Sequence, residues 1–154
     1  MTGPRECGLC RKDLGPVLDE STHWRLILNR EQDLLGACFL ALRRHVESPT
    51  ELQADEWDEL RGSIQAARNL VARAFQPDHF NFAFLGNVER HLHLHVLPRY
   101  AASRTVIGRT FTDPGYPGHY ALVDTGLLEP DQLARLAAVV RHDQSANERQ
   151  ITKA

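Results

Sequence analysis

The chain has 154 residues, 42% of them apolar and 25% charged, with a formal net charge of -2. That length and balance fit one globular domain with its own hydrophobic core. A pI near 6.4 provides no overall basic face, which argues against a nucleic-acid polymer as partner.

Apolar runs such as 34–42 are far too short to cross a bilayer, so no membrane association is expected. The start, Met1-Thr2-Gly3-Pro4-Arg5-Glu6-Cys7, carries no apolar signal core. Three cysteines are too few, and odd in number, for a disulfide framework. Reduced thiols in a cytoplasmic setting are expected.

In chain order, Cys7-Gly8-Leu9-Cys10 reads as a knuckle followed by a loop through Gly15-Pro16. The β-like runs His23–Asn29 and Gly36–Arg43 read as a hairpin. Ser48-Pro49-Thr50-Glu51 is a helix-start signal, with Ser48 or Thr50 as cap. Leu52, Trp57, Leu60, Ile64, Leu70, Val71 and Phe75 then recur at near-helical spacing. Phe80–Leu85 and His91–Leu97 are two further strands around the turn Gly86-Asn87-Val88-Glu89, and Pro98 is expected to end the second.

The stretch 101–128, rich in glycine and proline, reads as loop with short extended pieces. Pro130 opens a last helix with Leu133, Leu136, Ala137 and Val140 on one face. The polar end from Gln144 is expected to be loose. The order ββα–ββ–α predicts an α+β domain on an antiparallel sheet, spanning residues 1–143, with a tail over 144–154.

Chemistry concentrates in His91-Leu92-His93-Leu94-His95-Val96-Leu97. On a strand, alternate side chains share a face, so the three histidines project together while Leu92, Leu94 and Val96 point into a core. With eight histidines in 154 residues, chance yields such a pattern in roughly 2% of chains. Three aligned imidazoles suit either a metal or a nucleophile flanked by phosphate-binding groups. A glycine at Gly86 lets backbone N–H groups approach a phosphate closely. Cys7 and Cys10 have zinc-knuckle spacing, shared by redox motifs, but no βαβ pattern surrounds them.

The segment His91–Leu97 resembles the His-φ-His-φ-His-φ-φ signature (φ apolar) of the histidine triad family. The similarity extends to Asn81-Phe82-Ala83-Phe84-Leu85-Gly86-Asn87, Pro98-Arg99, Leu28-Asn29-Arg30 and Arg43-Arg44-His45-Val46-Glu47-Ser48. It covers roughly residues 7–100. The resemblance implies a histidine-triad α+β fold: an antiparallel sheet, one long helix packed on it and a C-terminal helix. It also implies a nucleotidyl hydrolase cleaving at the α-phosphate of dinucleoside polyphosphates, such as diadenosine tetraphosphate, or of nucleoside phosphoramidates.

In that scheme His93 attacks the α-phosphorus and a nucleotidyl-histidine forms. His95 contacts the phosphoryl oxygens and helps the leaving group. Nucleotide or phosphate contacts fall to Asn29, Asn81, Gly86, Asn87 and His95, with Asn29 at the ribose position. A transferase or phosphorylase would use the same intermediate, and a nucleotide-binding protein with little turnover would retain the same residues.

The zinc-bearing branch, which resembles diadenosine polyphosphate hydrolases, further implies a structural zinc on Cys7, Cys10, His45 and His91. No organic cofactor is expected, and a homodimer is. Four positions depart from the family pattern. Asn87 replaces a glutamine, Ala37 a histidine, and Arg43-Arg44 a Pro-Lys pair. His23, His79, His119 and His142 read as surface or local hydrogen-bonding residues, Cys38 as a buried apolar group, and Leu26, Leu28 and Leu40 as core.

Overall fold

The structure, a computed structural model, describes residues 7–11, 15–120 and 126–151, the side chains of 143–151 excepted. The start over 1–6, residues 12–14 of the loop before Gly15, the 121–125 portion of the long loop and the tail residues 152–154 lie outside them. Five strands build one antiparallel sheet: β1 (Val17–Glu20), β2 (Trp24–Leu28), β3 (Cys38–Leu42), β4 (His79–Phe84) and β5 (His93–Arg99). Their order is β1-β2-β3-β5-β4, which leaves β1 and β4 at the edges. A helical turn, α1 (Gly8–Arg11), precedes the sheet, and α2 (Ala54–Phe75) joins β3 to β4. After β5 come the hairpin β6 (Arg104–Val106) and β7 (Arg109–Phe111), then α3 (Pro130–Ile151).

The central strands show why the sheet has two kinds of face. Every residue of β2 and β3 is buried, as runs such as Trp24-Arg25-Leu26-Ile27-Leu28 demand of strands covered on both sides. Leu26, Leu28, Cys38, Leu40, Leu94 and Val96 join Leu60, Leu70, Val71 and Phe75 of α2 and Leu133, Leu136 and Val140 of α3 in the main core. The opposite face carries a smaller cluster in which Cys7 and Leu9 pack on Ile27, Phe39 and Ala41. The histidines lie on that second face. Gly36, at φ +81°, passes so close to α2 that a Cβ there would meet the Phe75 ring at 2.8 Å. Only glycine fits both constraints.

The expected hairpin, the long helix, the β4–β5 pair and the Pro130 helix start are all present. Four details differ. Ser48 caps not the long helix but a single 3-10 turn, Pro49–Glu51, and Gln53 caps α2. Strand β5 starts at His93, so His91 stands just before it rather than within it. Pro98 lies inside β5, opposite Phe80. The Arg99 carbonyl accepts from the Asp78 N–H on the β4 side. Alternate residues point their backbone groups to opposite edges, so the Pro98 nitrogen faces the β3 side, where pairing has ended at Val96.

The fourth is β1, where no element is expected from the sequence. Only Leu18 of its four residues is buried, too little pattern to announce a strand. Farther on, α3 continues past Gln144 to Ile151. No helix among the described residues is long and apolar enough to cross a membrane.

Candidate active site and metal centre

The β3–β5 register sets His93 opposite Ala41 and His95 opposite Phe39, all on the face away from α2. Ala41 leaves room beside His93, and the Phe39 ring stands edge-on to it at 5.6 Å between centroids. His93 is buried, with Nδ1 2.6 Å from the His91 carbonyl oxygen. A carbonyl only accepts, so Nδ1 carries the proton and Nε2 keeps its lone pair. That Nε2 lies 3.0 Å from His95 Nε2, which must then be the donor of the pair. Burial, with a smaller contribution from His93, pushes the His95 pKa down to about 4, so its ring is neutral near pH 7.

His91 is turned to a different use. Its Nε2 donates to the Leu42 carbonyl at 2.6 Å, leaving Nδ1 aimed at the knuckle. Nδ1 lies 3.3 Å from Cys7 Sγ, 3.4 Å from Cys10 Sγ and 3.3 Å from His45 Nδ1. Cys10 Sγ lies 3.4 Å from His45 Nδ1, and all four donor atoms fall within 4.8 Å of one another. A tetrahedron with zinc bond lengths has edges of about 3.3 Å between nitrogens and about 3.6 Å between nitrogen and sulfur. The four side chains therefore fit one tetrahedral cation.

Two contacts brace this centre. Arg44 forks onto Glu56, Nε to Oε1 at 2.9 Å and Nη2 to Oε2 at 2.7 Å, pinning the His45 segment to the start of α2. The Glu89 carboxylate accepts the Gly8 N–H at 3.2 Å and ties the β4–β5 turn to α1. Buried Arg25 donates to the Leu9 carbonyl and its Nε lies 3.9 Å from Glu20 Oε1, while Nε and Nη1 have no hydrogen-bond partner among the described residues. A guanidinium beside the knuckle suits thiolate ligands.

Past His95 opens a cleft of about 450 Å³. Leu34, Ala37, Leu97 and Tyr120 form its apolar walls with Leu85 at the edge, while Asn29, Glu31, Asp33 and His95 supply the polar groups. Asn29 is thus brought to the histidine pair, and Ala37 leaves open the space where the family pattern has an imidazole. Gln32, one residue before Asp33, is buried and staples this loop: Nε2 donates to the Asn29 and Ala37 carbonyls, and Oε1 accepts from the Gly36 N–H.

Gly86, at φ +60°, follows two residues after Phe84, which faces Leu94, so its turn lies at the end of the sheet where His93 begins. Asn87 is exposed on that turn. Asn81 is engaged elsewhere, its Oδ1 accepting from Arg99 Nη1 at 2.8 Å. Leu26, Leu28 and Leu40 lie in the main core, and Cys38 is fully buried there. His23 pairs with Asp55 and Glu59, and His119 Nδ1 donates to the Tyr120 carbonyl.

Gln32, Arg99, Asp113 and Tyr120 have no role assigned from the sequence. Gln32 acts through local contacts to Asn29, Gly36 and Ala37, whereas Arg99 and Asp113 meet across fourteen positions.

This fold and site define the class: the chain has the histidine triad fold. The first of three solved neighbours, a hypothetical histidine triad nucleotide-binding protein of Sulfolobus tokodaii, has a TM-score of 0.69 and 19% identity over 94% of this chain and 93% of its own. A zinc-bound histidine triad family protein of Mycobacterium smegmatis has a TM-score of 0.55 and 19% identity, covering 94% and 99%. The diadenosine triphosphate hydrolase of Plasmodium falciparum has a TM-score of 0.62 and 14% identity, covering 86% and 76%. No protein-family model and no curated protein matches the sequence.

Proposed function

We propose that the protein is a nucleotidyl hydrolase, cleaving dinucleoside polyphosphates or nucleoside phosphoramidates at the α-phosphate through a covalent nucleotidyl-His93. The observation that carries this reading is the 2.6 Å contact from His93 Nδ1 to the His91 carbonyl, which keeps the Nε2 lone pair facing out beside His95. The Nε2 lone pair bonds to the α-phosphorus. The bond from phosphorus to the bridging oxygen or nitrogen breaks, and its electrons leave with that atom. His93 then carries the positive charge, with Nδ1–H still on the His91 carbonyl. Neutral His95 donates Nε2–H to a phosphoryl oxygen or to the bridging atom, and backbone N–H groups of the Gly86–Asn87 turn receive developing charge. Water attacks phosphorus, the N–P electrons return to Nε2, and the water's proton leaves to solvent.

In this reading the nucleoside occupies the cleft, its ribose hydroxyls at Asn29 and its base on Leu34 and Leu97. Asn81 acts from behind, through Arg99, rather than on phosphate. Cys7, Cys10, His45 and His91 hold a zinc ion, as the donor set and spacing favour, and the ion's role is structural. Free thiols at Cys7 and Cys10 suit a reducing, cytoplasmic setting. The edge strand β4 supports a homodimer. Phe82 and Phe84 stand 42% and 36% exposed on the side next to α2, where Arg68 lies over the Phe80 ring.

Screening dinucleoside polyphosphates and nucleoside phosphoramidates for release of nucleoside monophosphate tests the reading. Release is expected from at least one class and is lost in His93→Ala. No release from either class by zinc-loaded protein would contradict it.

A further inference from the structure

Arg99 is the most heavily engaged charged side chain on the histidine face. Its Nε donates to Asp113 Oδ2 at 2.7 Å and its Nη2 to Oδ1 at 3.2 Å, with the Arg99 side chain 3% and the Asp113 side chain 1% exposed. Nη1 and Nη2 also donate to the Gly118 carbonyl, and Asp113 Oδ2 accepts the Tyr100 N–H as well. The guanidinium lies 6.0 Å from the Tyr116 ring centre and 5.9 Å from that of Tyr120. One side chain at the end of β5 thus touches four residues of the 113–120 segment: Asp113, Tyr116, Gly118 and Tyr120. Tyr120 packs against Leu34, Ala37 and Leu97 and forms a wall of the cleft.

A buried ion pair is a weak source of stability, because desolvation offsets much of its attraction. What a forked, fully hydrogen-bonded pair does supply is a fixed geometry. Resting on the nucleotide reading above, we infer that Arg99 and Asp113 are positioning residues that hold Tyr120 as an aromatic wall against the base of the bound nucleotide. Tyr120 is then the residue that makes the site selective for a nucleotide over a sugar phosphate. Ala37 provides the depth for a ring to enter, and Tyr120 provides the surface on which the ring stacks.

Calorimetric titration with two probes, AMP and ribose 5-phosphate, tests this on the full, zinc-loaded chain. Tyr120→Ala should weaken AMP about tenfold, in the range of base–aromatic stacking, and leave ribose 5-phosphate unchanged. Tyr120→Trp should restore AMP binding. Asp113→Asn should weaken AMP severalfold in the wild-type background and have no further effect once Tyr120 is alanine. Where Asp113→Asn does not fold, Arg99→Met/Asp113→Leu removes the clasp without stranding a charge and should behave the same way.

Equal losses for both probes in Tyr120→Ala, or a clasp effect that persists without Tyr120, would overturn the inference while nucleotide binding stands. Failure of wild-type protein to bind either probe would overturn the nucleotide reading and the inference with it.

Discussion

At the scale of single residues, the chemistry rests on which nitrogen of each imidazole faces a carbonyl. His93 and His91 each give one ring N–H to a backbone oxygen and present the other nitrogen, to His95 and to the knuckle respectively. The Arg44–Glu56 fork is a second residue-scale device, and it makes stability depend on pH. Chiefly through its hydrogen bonds to Arg44, Glu56 is held below its ordinary value of 4.5. A lowered folded-state pKa means that the unfolded chain binds the proton more readily. The contribution is therefore complete above about pH 4.5 and is lost as pH falls through the folded value. Glu56→Gln should lower the unfolding midpoint at pH 7 and flatten its decline below about pH 4.5, as followed by circular dichroism. An unchanged acid limb would contradict this.

The histidine strand and the Cys-x-x-Cys pair were legible because their spacing is itself the signal. Arg99 and Asp113, fourteen positions apart across a hairpin, carry no such spacing. Asn81 and Arg99 both stand in motifs legible in the sequence, but the hydrogen bond between them, across eighteen positions, is not.

At the scale of elements, the four-donor site proposed for zinc belongs to the same construction as the proposed nucleophile. Cys7 just before α1 and Cys10 within it, His45 after β3 and His91 two residues before β5 come together, and the His91 carbonyl orients His93. Three separated segments meet at one point, so removing the ion should loosen all three. Chelation at pH 7 or Cys7→Ser is expected to lower the unfolding temperature by several degrees and to slow turnover. Metal analysis should show zinc in wild-type protein and little in the variant. A wild-type chain free of zinc and indifferent to chelator would contradict the site.

Two of the features that differ are set by partners outside the local sequence. Pro98 stays in β5 because β3 has ended beside it, and β1 forms because β2 offers an unpaired edge. A third is local: Ser48 caps a 3-10 turn, and Gln53, its N–H held by the Glu56 carboxylate, is the N-cap of α2.

At the scale of the whole molecule, the sheet separates a helix-covered face from the face that holds both the metal donors and the histidine pair. The proposed homodimer would cover the exposed aromatic edge of β4, and light scattering at micromolar concentration should then give a dimer. Phe82→Glu/Phe84→Glu should give a monomer; wild-type protein that is monomeric in this range would contradict the pairing.

The central claim is that His93 becomes covalently bound to the nucleotide it releases, and acid quenching during turnover tests it most directly. Wild-type protein quenched with a base-labelled substrate should retain label on the peptide containing His93. That label should be lost on mild acid treatment, as a phosphoramidate bond requires, and be absent from His93→Ala. Full turnover by His93→Ala, or a quenched wild-type enzyme that never carries the label while product accumulates, would contradict the account.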